Sequence, residues 1–243
     1  MKNSEWGAVA YLSKSKYGLN GTNIYINNAT LNNSTSSVYA VTGCCAKGDN
    51  PDAGAVETTI SAINGRTANV YVWTQKEGQK ASSTGTIYGI YDLNGGVYER
   101  TAAYVANGNA RLKTYGVSIT YEENEDGILV LKTASTKYTT VYPHDTSVDL
   151  PNLSDDENLN KASKANYALN TKIYGDAVRE TSTAGIGSSG WYGDHSRFPG
   201  LGTPFLIRGS KWTDASHAGV TAFNRTNGYS SFHNGFRAVL VAH

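Results

Sequence analysis

Apolar positions come in short runs separated by Gly, Asn and Ser, and the spacing within each run predicts its element. The stretch SEWGAVAYLSKSKYG sets Trp6, Val9, Ala10 and Ser13 at helical spacing behind Ser4 and Glu5, with Gly18 as a stop, and predicts a helix over 4–17. NIYIN (23–27) alternates as a strand does, and ATLNNSTSS (29–37) reads as a polar loop. TANVYVWT (67–74) and TGTIYGIYDLNGGVYERTAAYV (84–105) are rich in β-branched and aromatic residues, the latter interrupted by a hairpin or sharp reversal at Asn94-Gly95-Gly96. Residues 106–141 are mixed, with an acidic turn, EENEDG, between strand-like neighbours. SDDENLNKASKANYALN (154–170) opens on caps and acids and predicts a second helix.

From about 180 to 204 the pattern is irregular and Gly-rich, a length of coil that in a compact domain is usually functional or packed under other loops. FLIRG, AGVTAF and GFRAVLVA then predict three short strands. In the last, Phe236, Ala238 and Leu240 share one face and Arg237, Val239 and Val241 the other. No internal repeat is visible. The expectation is a single α+β domain over 1–243, with two main helices, short antiparallel strands and long loops.

Composition narrows the function classes. The net charge of +1, with Lys and Arg scattered, lacks the basic stripe that binding to a phosphate backbone needs, so no nucleic-acid partner is expected. No apolar run reaches membrane-span length, and MKNSEWGAVAYLSKSKYG lacks a signal-peptide core; no membrane insertion is expected. A Met1 that sits directly on a predicted helix is compatible with a module excised from a longer chain. The 26 Gly and 17 Tyr suit a loop-rich recognition surface and equally an all-β protein with many turns. Cys44 and Cys45, the only cysteines, are adjacent and are expected to be reduced thiols.

Chemistry-bearing motifs are sparse. Asp194, His195 and Ser196 have the residue types of a hydrolytic triad, but consecutive side chains cannot face one another productively. No nucleophile elbow, P-loop or zincin helix is present, and His144-Asp145 reads as a solvated turn. Paired carboxylates for glycoside hydrolysis leave no linear signature to read. His217 and His233 share the tail and could approach if its strands pair, yet the five histidines lack metal-ligand spacing, so neither metal nor cofactor is expected.

The last segment, GSKWTDASHAGVTAFNRTNGYSSFHNGFRAVLVAH (209–243), gathers rings, hydroxyls, an acid, a guanidinium and amides among turn-permitting glycines. Its frame, FLIRGSKW, SHAGVTAFN and NGFRAVLV, preceded by YDLNGGVYER and opened by SEWGAVAYLSKSKYG, resembles the C-type-lectin-like proteins that retroelements diversify in bacteria and phages. It is also similar to the formylglycine-generating-enzyme and sulfatase-modifying-factor fold. GVYER (96–100), RGSKW (208–212) and GFRAV (235–239) stand where that fold repeats its motifs.

The two branches imply different functions. The enzyme branch depends on C-terminal cysteines, and none follows Cys45, so no enzymatic activity is expected. The diversified branch implies a non-enzymatic receptor-binding or display protein of a virion or bacterial cell surface, with a cell-surface protein or glycan as ligand; a homo-oligomer such as a trimer on a phage particle is compatible with it. The runner-up is a structural virion or surface protein of fixed specificity. Adenine-directed diversification does not create Glu, Gln, Met or Trp from Asn-type codons, and residues 213–234 contain none of them. Within a variable segment at 209–240, the resemblance makes Thr213, Asp214, His217, Thr221, Asn224, Arg225, Thr226, Tyr229, Ser231, Phe232 and His233 ligand-facing, and Gly209, Trp212, Gly219, Gly235, Phe236 and Arg237 scaffold. Calcium is not implied, because Asp214 with Asn224, Asn227 and Asn234 is a thin ligand set.

Overall fold

The computed structural model describes residues 1–27, 42–45, 59–63, 66–148 and 156–239. The predicted loop at 29–37 and the end of the last predicted strand, including Leu240 and Val241, lie outside the described residues. The fold is α+β. In chain order it contains α1 (Asn3–Lys14), β1 (Cys44–Cys45), β2 (Thr59–Ile63), β3 (Arg66–Asn69), β4 (Tyr71–Val72), β5 (Tyr98–Val105), α2 (Ala110–Thr120), β6 (Tyr121–Glu123), β7 (Leu129–Leu131), β8 (Thr140–Tyr142), α3 (Asp156–Leu169), β9 (Phe205–Arg208), β10 (Phe223–Thr226) and β11 (Asn234–Phe236).

β5 organises the molecule. Antiparallel β9 runs along one of its edges and carries β10 beyond it, while the other edge is shared by two parallel strands, β11 on Tyr98–Arg100 and β8 on Ala103–Val105. The sheet is therefore mixed, where antiparallel pairing alone was expected. Met1 fills the gap between the two parallel strands: its carbonyl accepts from Ala102 N at 2.9 Å and its nitrogen donates to Arg237 O at 2.9 Å.

α1 starts one residue before the predicted Ser4 cap, with Glu5 reaching back to Lys2 N at 2.7 Å, and ends at Lys14 because Ser15 is extended. It buries Asn3, Trp6, Gly7, Ala10 and Ser13, a stripe at helical period. Gly7 permits the approach: a Cβ there would stand 2.5 Å from Asp176 Cα. α3 occupies the predicted second helix. α2 is a third helix that the pattern did not reveal. Asn109 caps it by accepting from Arg111 N at 3.0 Å, and only Leu112 and Thr120 along it are buried.

Elsewhere, EENEDG closes the β6–β7 hairpin as expected. NIYIN buries Ile24 and Ile26 but, among the described residues, pairs through a single bridge, Asn27 to Gly95. AGVTAF is mostly a turn, closed by Ala222 N donating to Gly219 O, and its strand begins only at Phe223. Cys44 and Cys45 are free and buried, and burial pushes their thiols up to about 11 and about 12. Among the described residues no helix is long and apolar enough to cross a membrane.

Candidate functional site

The tail is held by buried motifs that lie far apart in sequence. Arg208 is fully buried, its guanidinium 5.8 Å from both the Trp6 and Phe223 ring centroids and donating to Ala177 O at 3.0 Å. Desolvation lowers its pKa, and Asp176, foremost among nearby acids, opposes the shift only in part. Gly209, at φ +80°, donates to Ala222 O at 3.2 Å and accepts from Gly95 N at 2.8 Å; a Cβ there would lie 3.0 Å from Leu93 O and from Trp6. Trp212 N reaches Gly96 O at 2.9 Å, and Trp6 Nε1 donates to Val220 O at 2.8 Å. The Gly95-Gly96 reversal, both residues at positive φ, thus joins three segments at their backbones.

From this frame the expected ligand-facing residues separate into groups. Tyr98 OH donates to Asp214 Oδ2 at 2.5 Å and accepts from Asn224 Nδ2 at 3.0 Å, so one strand tyrosine aligns two tail residues. Burial and then the Asp214 charge raise the Tyr98 pKa far above its usual range, keeping the hydroxyl a donor at all ordinary pH. Beside them the His233 ring lies 4.0 Å from Phe232 and 4.9 Å from Trp212, centroid to centroid. Phe232 is 71 % exposed and Thr213 is exposed. Burial, then Lys211, lowers the His233 pKa. Ser231 is exposed, its hydroxyl accepting from His233 N at 3.2 Å.

His217 is exposed on a second patch, its Nδ1 3.0 Å from Ser188 Oγ and its ring 5.0 Å from that of His195. His195, whose pKa burial lowers, feels both Asp214 and His217 and links this patch to the first. Tyr229 is half-exposed, edge-on to Tyr115 at 4.7 Å, with Arg100 donating to its carbonyl. Thr226 is half-buried and accepts from Gly228 N at 3.3 Å. Arg100, Ser230, Ser231 and Asn234 line a shallow cavity of about 280 Å³ next to Tyr229.

Two expected positions do not face solvent. Thr221 is 1 % exposed, its backbone and hydroxyl both donating to Asp194 Oδ2, so it cannot meet a ligand. Arg225 points to the opposite side of β10 from Asn224, as alternation requires, and is bound to α3: its guanidinium donates to Leu159 O at 2.7 Å, Ser163 Oγ at 2.5 Å and Asn160 Oδ1 at 3.1 Å. Conversely, Phe236 was expected to be scaffold and is 80 % exposed. Trp212 at 9 % exposure, Gly209 and Gly219 do belong to the frame.

His195, Lys211 and Arg100 stand half-buried among these residues and Tyr98 is buried beneath them, and sequence reasoning missed all four. A tyrosine in a β-rich run looks like any core ring, and His195 drew attention only for a triad it does not form. Asp194 instead holds Thr221, and Ser196 Oγ bonds back to Asp194 O at 3.5 Å. His144 contacts Asn166 on α3 at 3.0 Å, making its turn an anchored one. Among the described residues no three His, Cys, Asp or Glu side chains converge. The surface combines flat rings with donors and acceptors fixed by buried neighbours. No protein-family model and no curated protein matches this chain.

Proposed function

We propose that the chain is a non-enzymatic ligand-binding protein with a C-type-lectin-like fold, whose C-terminal segment is rewritten by a retroelement to bind varied protein or glycan targets at a cell surface. The observation that carries this reading is the division of labour within residues 208–236. Arg208, Gly209, Trp212, Gly219, Thr221 and Phe223 are buried in the frame, while Thr213, His217, Tyr229, Ser231 and Phe232 stand exposed on it. Rings offer contact area at small cost in conformational entropy, and Tyr98 fixes Asp214 and Asn224 before any ligand arrives. The ligand-facing set is accordingly the expected eleven without Thr221 and Arg225. The protein acts at the surface of a virion or bacterium, where one framework must meet many partners.

The test is the nucleotide sequence of the locus. A near-copy of the codons for residues 209–240, differing only where the copy has adenine, is the expected finding, with differences at codons 213, 217, 229 and 232 and none at 209 or 212. A locus without such a copy overturns the diversified reading and leaves a domain of fixed specificity.

A further inference from the structure

We propose that the cavity of about 270 Å³ between the Asp92 turn and the start of β11 is a binding site for a protonated primary amine. Asp92, Gly96, Val97, Glu99, Phe236 and Arg237 line it. Glu99 is 6 % exposed; its Oε1 is met by Arg237 Nη2 at 3.2 Å, and among the described residues its Oε2 accepts no hydrogen bond. A buried carboxylate oxygen without a donor is costly unless something fills its need. Arg237 does not meet Oε2 either: its Nη2 is divided among Tyr91 O at 2.8 Å, Asp92 O at 3.2 Å and Glu99 Oε1, and its buried Nε makes no hydrogen bond among the described residues. Asp92 takes its hydrogen bonds from neutral groups, Asn27 Nδ2 at 2.6 Å and Gly43 N at 3.2 Å.

Arg237 is the one cation among the described residues lining the cavity, and although it and the Met1 ammonium oppose the shift, burial and then Asp92 raise the pKa of Glu99, and burial raises that of Asp92. The unmet Glu99 Oε2 calls for a donor. An anion is disfavoured by that balance, and a multivalent metal by the lack of a third acidic ligand among the described residues. An ammonium carries three donors at tetrahedral angles, enough to meet Glu99 Oε2 and Asp92 together, while Gly96 and Val97 leave room for its alkyl stem. Phe236, whose exposure has no use in packing, provides an aromatic wall for the cation. With a water occupying about 30 Å³ of liquid, the cavity has room for an amine of a few carbons. The amine belongs either to a free small molecule or to a lysine of a partner protein. This site stands apart from the reading of the tail, and its failure would leave that reading untouched.

The experiment follows backbone amide resonances of Gly96, Val97 and Phe236 by NMR while n-butylammonium is added, with n-butanol as the neutral control. Saturable shifts with the amine alone are expected. Glu99→Gln, which keeps the shape of the side chain, should weaken binding at least tenfold, roughly what loss of a charged hydrogen bond implies. Phe236→Ala, at a ring 80 % exposed whose loss should cost little stability, should weaken it about threefold. A single-lysine peptide that binds more tightly than n-butylammonium, and more tightly than its norleucine counterpart, would assign the site to a protein partner; a peptide no better than the amine would assign it to a small molecule. Shifts absent, equal with n-butanol, or unchanged in both variants would overturn the proposal.

Discussion

Gly219 lies so close against Asp194 that a β-carbon on the glycine would stand 1.9 Å from the carboxylate Oδ2. The contact pins the irregular segment around 190–196 to the turn that carries Thr221, and it explains a glycine where no positive φ requires one. Gly219→Ala should cost about 1–3 kcal/mol through overpacking, read from the urea midpoint. The cost should shrink when Asp194 is also replaced by Ala, because the clash then disappears; additive losses would show that the two do not meet.

Asp194 also predicts a pH dependence. Burial lifts its pKa to about 6, and the two Thr221 hydrogen bonds, which favour the anion, only partly oppose it. The folded state then holds a proton that the unfolded chain, near the ordinary aspartate value, gives up. Stability from this group is complete below about pH 4, declines as pH rises toward 6 and is flat beyond, a difference on the order of 3 kcal/mol. Subtracting the denaturation curves of Asp194→Asn from those of the unsubstituted protein across pH 4–7 should recover that decline. A constant difference would refute it.

Arg225 and Phe232 should behave in opposite ways although both sit in the tail. Arg225→Ala removes three contacts to α3 and should cost on the order of 2–3 kcal/mol. Phe232→Ala truncates a far larger apolar side chain but at 71 % exposure, and should stay within about 0.5 kcal/mol. Thermal melting of the two variants side by side decides the order.

Tyr98→Phe should cost about 1–2 kcal/mol, since Asp214 loses a donor and Asn224 an acceptor. The side-chain amide resonance of Asn224 should broaden or average as its orientation is released. If the tail is the binding surface, affinity for its ligand should fall with it, while the melting curve stays cooperative.

Much of the framework was legible in the chain itself. Trp6 and Ala10 at helical spacing do form the buried stripe of α1, the acidic run does lead into α3, and Gly95-Gly96 does reverse the chain at positive φ. α2 was hidden because ARLKTYGVSIT mixes β-branched residues with a glycine and buries only two side chains, leaving no apolar stripe to read. Gly116 in its middle is explained by a residue far away: the Phe205 ring lies 2.7 Å from where its Cβ would be.

The tail divides along the same line. Alternation in a strand is a local property, but the predicted strand stopped at Phe223 and Asn224 and Arg225 were both expected to face a ligand, while Gly209 and Trp212 were expected in the scaffold from the resemblance. Which face meets solvent is settled by what packs against it. Only the tertiary structure turned Arg225 toward α3, buried Thr221 on Asp194, left Phe236 in the open and brought Tyr98 from β5 under Asp214, because burial and pairing arise between chain segments 27 to 126 residues apart, beyond the reach of any local pattern.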